Sequence, residues 1–224
     1  MATKPQESLA QALSAPGLQW LGIQVGWPRR ITDFAANSEL AASLAGPTAT
    51  WQVRERELTI QIGGTSVVLG DGYARFAVST GKGFQRFRES FPLVGRNRSA
   101  MRLSTTAQFL FPLEAPFDTT VSSLASVALN ESFASSIGAT MQDFAYLADF
   151  MFEGQWMQLS YGVVRSTEIP QRLNALPPLP LPDVALFLQV TSNWKPPSES
   201  SADAEERIGR LLRLAEAAAN RLRR

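Results

Sequence analysis

The chain has no cysteine and no histidine among its 224 residues. Without cysteine there is no disulfide, no thiolate nucleophile and no cysteine-based zinc or iron–sulfur site. Without histidine the commonest general base and the commonest transition-metal ligand are missing as well. An excess of one charge is also lacking. Twenty-one basic side chains against 20 acidic ones leave a net charge of +1, too little for a bulk attraction to nucleic acid or anionic lipid. No window approaches the roughly 18 apolar residues of a membrane helix. The stretch Met1 to Gly17 is broken by Lys4, Glu7, Ser8 and Gln11, so it is no secretory signal. These absences predict a cytoplasmic chain with no membrane partner, no metal and no cofactor. They also argue against an enzyme, although carboxylates, lysines and serines can do chemistry.

What is present is sufficient for a core: 45% of residues are apolar and 9% aromatic, which excludes wholesale disorder. The length fits one large domain or two small ones. Eighteen of the 21 basic residues are arginine, which together with abundant alanine suggests a GC-rich bacterial genome.

Residues 1–16 read as a flexible tail and 17–193 as one α+β domain, with candidate halves 17–95 and 96–193. In the first half Leu21, Ile23 and Val25 alternate with small or polar neighbours, the period of a half-buried strand. Phe34, Leu40, Ala41 and Leu44 switch to helical spacing, stopped by Gly46-Pro47. Strand patterns follow at 50–54, 58–62, 66–69 and 73–78, with Gly63-Gly64 and Gly70-Asp71-Gly72 as hairpin turns. Links this short force antiparallel pairing. Phe84, Phe87 and Phe91 then predict a short helix ending at Pro92.

The second half repeats the rhythm. Ala100 to Phe111 alternates as a long strand and residues 117–137 take helical spacing. Phe144 to Phe152 and Met157 to Val163 form a hairpin about Gly154, although Phe144, Leu147 and Met151 would also fit a helix face. The run Leu176 to Pro182 must be extended, since each proline fixes its own φ and disfavours α for its predecessor. Val184 to Thr191 is the last strand, and 194–202 is a solvated linker. The terminal helix, 203–224, has its stripe at Ile208, Leu211, Leu212, Ala215, Ala218, Ala219 and Leu222, with Asp203 and Glu206 as a capping box. The expected architecture is α+β, a mainly antiparallel sheet with helices on one side and two pseudo-repeated halves.

Chemical motifs are few. Ser79-Thr80-Gly81-Lys82 has the serine–lysine spacing of penicillin-recognising enzymes, but the partner motifs S-D-N and K-T-G are absent. Gly81-Lys82-Gly83 fails the phosphate-loop pattern, with Phe76 where a glycine is needed and Gly83 where Ser or Thr is needed. Asp143, Asp149 and Glu153 could form a carboxylate or Mg²⁺ site, yet on a strand they also make an ordinary polar face. Leu176 to Pro180 resembles an SH3-domain ligand without the usual arginine and reads more economically as a rigid connector. The most distinctive cluster is Arg86, Arg88, Arg96, Arg98 and Arg102 beside Phe84, Phe87 and Phe91, relieved only by Glu89. Arginine with exposed aromatics suits single-stranded nucleic acid or an acidic protein. Arginines facing water above buried phenylalanines are the simpler alternative.

In the order of its elements the chain resembles a sporadically distributed, functionally uncharacterised family of bacterial proteins. The resemblance lies in the strand Ala100 to Phe111 with Arg102, the strand Leu159 to Val164, and the apolar strand Ala185 to Thr191 before a terminal helix. It covers about half the chain, and the Pro-rich opening before an acidic strand associated with that family is missing here. The resemblance implies an α+β fold and an accessory role, and it supplies no catalytic residues. The function expected from the sequence is that of a non-catalytic binding or assembly protein, a subunit or accessory factor of a larger complex that meets a protein partner or itself. A nucleic-acid accessory protein using the five arginines is the alternative, and a carboxylate- or metal-dependent enzyme the third.

Overall fold

A computed structural model describes residues 16–28, 37–39, 41–42, 49–54, 57–62, 65–78, 85–90, 102–128, 143, 145–174, 180–194 and 201–222. Nine strands make one open sheet: β1 (Leu18–Gly26), β2 (Thr50–Arg54), β3 (Glu57–Ile62), β4 (Thr65–Gly70), β5 (Tyr73–Ala77), β6 (Arg102–Pro112), β7 (Ala145–Phe152), β8 (Gln155–Arg165) and β9 (Val184–Trp194). The helices are α1 (Phe117–Ala128), the single turn α2 (Ile169–Arg172) and α3 (Ser201–Leu222). Residues 37–39, 41–42 and 85–90 are also helical.

The strand order is β2-β3-β4-β5-β1-β6-β9-β8-β7. Every pairing is antiparallel. The α+β class expected from the sequence is therefore present, and so is its rhythm. In each half a first strand, β1 or β6, is followed by a helical segment, a meander and a second helical segment. In each half the last strand of the meander returns beside the first. The two first strands pair with each other at the centre, from Leu18↔Phe109 to Gly26↔Arg102. The halves are therefore continuous in one sheet.

Alternation divides the sheet into two faces. Leu21, Ile23 and Val25 of β1, with Leu103, Ala107 and Phe109 of β6, are buried on one of them, since directly paired residues share a face. Register carries this face through Phe76 and Leu69 on one side and through Leu188, Val190 and Met157 on the other, all at 0–1% exposure. Each such side chain contributes about 1.5–3 kcal/mol by leaving water. Helix α3 covers this face over β9 and β6, and α1 covers it over β8. Ile208, Leu211, Leu212, Ala215 and Ala219 are buried, as the stripe in the sequence predicts. Phe87, on the helical segment 85–90, meets Phe76 edge-on at 5.5 Å. Arg165 lies over the ring of Phe117 at 3.5 Å and fixes the start of α1.

The opposite face is open and polar over its centre. Its side chains include Gln24, Arg75, Ser104, Thr106, Gln189 and Thr191, with the Thr106 and Thr191 hydroxyls 3.1 Å apart. One end of it is closed by the link between β8 and β9. There Ile169 and Leu173 pack with Leu110, Val164, Ala185 and Phe187 in a small second core. Gln108 fastens that link: its Nε2 donates to the Arg172 carbonyl at 3.1 Å and to Gln189 Oε1 at 2.8 Å, while its Oε1 accepts from the Asn174 amide at 2.8 Å.

Some boundaries differ from the sequence reading. α3 begins at Ser201, so Asp203 and Glu206 lie inside it and are no capping box. Trp194 belongs to β9 and is not part of a linker. The helix expected over 117–137 is described only as Phe117–Ala128, and the proline run 175–179 and Gly63-Gly64 lie outside the described residues. Single-turn α2 sits on the face opposite the other helices, because Ile169 and Leu173 have the apolar end of that face to cover.

Candidate functional site

Of the arginines expected to act together, the three described, Arg86, Arg88 and Arg102, are divided between the two faces. Arg86 and Arg88 flank Phe87 on the helical segment packed against the core face, and the Arg86 carbonyl accepts from Ser90 Oγ at 2.6 Å. Arg102 opens β6 with its exposed side chain on the open face, since its neighbour Leu103 faces the core. Arg96 and Arg98 lie outside the described residues, as does Ser79-Thr80-Gly81-Lys82. Arg102 instead lines a cavity of about 530 Å³ with Gln24, Gly26, Ser104 and Asn193. Arg75 is exposed on the same face, paired in register with Gln24. The sequence reading missed Arg75, although alternation with buried Ala74 and Phe76 placed it there.

The three carboxylates also part company. Asp143 precedes β7 and does not share a strand face with Asp149. Asp149, on β7, accepts from Gln158 Nε2 at 3.0 Å across the hairpin. Glu153 occupies the turn between β7 and β8 with a φ of 48°, followed by Gly154 at 75°. Its carboxylate receives Arg213 Nη2 at 2.7 Å, with Arg210 Nε at 3.8 Å, and its carbonyl receives Arg210 Nη1 at 2.9 Å. Those contacts hold a non-glycine residue in the left-handed region and tie the turn to α3. Among the described residues no group of three or more acidic side chains is placed to hold a metal ion.

Under the first part of α3 lies a buried polar layer. Ser192 Oγ accepts from Gln155 Nε2 at 2.6 Å and donates to the Trp156 carbonyl at 2.8 Å. Thr105, the register partner of Ser192, is also buried there, and Arg207 stands over Trp194 at 5.4 Å. At the other end of the sheet, a cavity of about 240 Å³ opens beside β2 between Asn37, Ser38, Trp51, Val53 and Leu58. Asn37 Nδ2 donates to the Gly70 carbonyl at 3.0 Å and fixes the helical segment over it.

Large apolar side chains are exposed at both ends of the sheet. On β2 Trp51 and Val53 are 47% and 68% exposed; on the β7–β8 hairpin Leu147 and Met151 are 65% and 64% exposed, and Trp156, the register partner of Met151, is 41% exposed. Leu147, Met151 and Trp156 point to the open face. On the other side of the same strand the Tyr146 ring packs at a tilt against Tyr161, centres 5.1 Å apart, and burial followed by the neighbouring Tyr146 phenol raises the Tyr161 pKa. β7 is the last strand of the sheet, eight residues long. Asp149 is its only charged residue. The sequence showed the hairpin but not this exposure, because β7 is apolar on both faces and alternation cannot say which face is covered.

No family model matches the chain, and no curated protein matches it.

Proposed function

We propose that this protein is a non-catalytic cytoplasmic binding subunit that joins a larger complex through the β7–β8 margin of its sheet. The observation that carries the reading is the exposed cluster of Leu147, Met151 and Trp156 on a long terminal strand. Natural sheets blunt such edges with short strands, prolines, bulges or several charges. β7 has no proline and a single acidic residue. Exposed apolar side chains beside a strand at the end of a sheet make a surface for a partner.

The test is capture from the native host by the full chain and by a Leu147→Lys, Met151→Lys variant, each with and without nuclease. Circular dichroism and melting should show the variant folded, since both side chains are exposed. A stoichiometric protein retained by the wild type after nuclease treatment and lost from the variant supports the reading. Equal capture by both removes it.

A second reading is favoured by Arg75 and Arg102, which stand on the open face on either side of β1 with Gln24 between them. A polar, basic trough of this kind suits a phosphate-bearing strand. Affinity for a single-stranded oligonucleotide that falls steeply with salt, and falls further in Arg75→Ala and Arg102→Ala, would move the function to that face.

A further inference from the structure

The partner's chemistry can be read from the geometry of β7, and it rests on the edge reading above. A two-residue turn with both φ values positive, as at Glu153 and Gly154, closes on a residue pair that exchanges two backbone hydrogen bonds. That pair is Phe152 and Gln155. Alternation along the hairpin then makes Phe150↔Met157, Ala148↔Leu159 and Tyr146↔Tyr161 the hydrogen-bonded pairs. Leu147, Asp149 and Met151 are left with N–H and C=O groups directed away from β8, out of the edge of the sheet. The same three residues present their side chains on the open face. A strand added to this edge would therefore bond to their backbones and set its own side chains against an apolar, an anionic and an apolar neighbour.

We propose that β7 receives an extended strand of a partner protein that carries an arginine or lysine opposite Asp149, with apolar residues two positions before and after it. The argument is charge complementarity. Asp149 is held by a neutral amide, Gln158. No described cation is paired with it. A second copy of this chain fits poorly. Antiparallel pairing of β7 with itself that sets Leu147 against Met151 of the other copy puts Asp149 against its own counterpart, and like charges directly opposite are destabilising. A polyanion fits no better, because Asp149 stands in the middle of the surface.

The test uses two synthetic nine-residue probes, Thr-Thr-Ile-Thr-Arg-Thr-Ile-Thr-Thr and the same sequence with glutamate at the centre, titrated against the full chain by fluorescence anisotropy. The arginine probe should bind about three- to tenfold more tightly than the glutamate probe. Asp149→Lys should reverse that order, and Asp149→Asn should abolish the preference without reversing it. Leu147→Lys with Met151→Lys should weaken both probes. If the double variant weakens both probes while Asp149→Lys leaves their order unchanged, the basic-partner proposal is overturned and the edge reading survives. If neither probe binds at millimolar concentration, or binding ignores all the variants, the edge reading falls with it. Sedimentation of the wild type as a dimer that Leu147→Lys dissociates would place a second copy on β7 and overturn the proposal.

Discussion

The two halves of the sheet tie down their meanders by different chemistry. In the first half Glu57, at the start of β3, accepts a hydrogen bond from the Tyr73 phenol of β5, whose ring lies across Gly70 of β4. A side chain at Gly70 would occupy the space of that ring and would displace it. In the second half Glu153 at the hairpin tip takes two guanidinium groups, Arg210 and Arg213, from α3. One carboxylate is satisfied by a neutral donor inside the sheet, the other by cations from the covering helix. The shared topology therefore does not imply a shared response. The first tie depends on the protonation of a phenol, and the second on unscreened charge.

The strongest test of the comparison asks whether the halves melt as one. Phe76→Ala in the first half and Leu188→Ala in the second each empty a fully buried position beside the central strands. Losses of about 3–5 and 2–5 kcal/mol are expected. Calorimetry should show both variants shifting one shared transition, because β1 and β6 join the halves by a continuous ladder. Two separable transitions would mean that the halves are independent units.

A smaller effect separates the two ties. Glu153→Ala should cost no more than about 1 kcal/mol, since the ion pairs are exposed. The difference from wild type should shrink in molar salt as the charges are screened. A cost unchanged by salt would assign it to the left-handed backbone at that position.

The Tyr73 tie shows its effect only in alkaline solution. Burial first, then the hydrogen bond to Glu57, raises the Tyr73 pKa to about 12. The unfolded chain ionises this phenol near 10. Its contribution to stability is therefore fully present below pH 10 and is lost as the pH rises from about 10 through about 12. Tyr73→Phe should flatten that alkaline limb in denaturant melts recorded between pH 9 and 12. Glu153→Ala should leave it in place.

Much of this fold was legible in the sequence because alternation is a local signal. Leu21, Ile23 and Val25, or Phe109 and Phe111, declare a face within a few residues, and the stripe from Ile208 to Ala219 declares a helix. The order of strands is set elsewhere. Nothing local says that β1 lies between β5 and β6, or that β7 is left at the margin. The exposed surface was therefore hidden. Leu147 and Met151 look like core residues until their strand is placed at the end of the sheet. The described members of the arginine cluster lie apart for a related reason. Proximity in sequence placed Arg88 and Arg102 together, but one lies on a helix over the core face and the other on the opposite side of the sheet.

The central seam also governs how the molecule is made. Within the meanders every link except that between β8 and β9 is two residues long, but the pairs that unite the sheet join distant residues. The Thr106 and Thr191 hydroxyls meet across 85 positions, and Gln108 and Gln189 across 81. Ile23 waits for Thr105 in the same way. Contacts of such range give the chain a high contact order, and topologies of that kind fold in milliseconds to seconds. During synthesis the first half emerges with β1 open on one side until residues 102–112 arrive to cover it. The strand that ends at the heart of the sheet thus begins as a temporary edge.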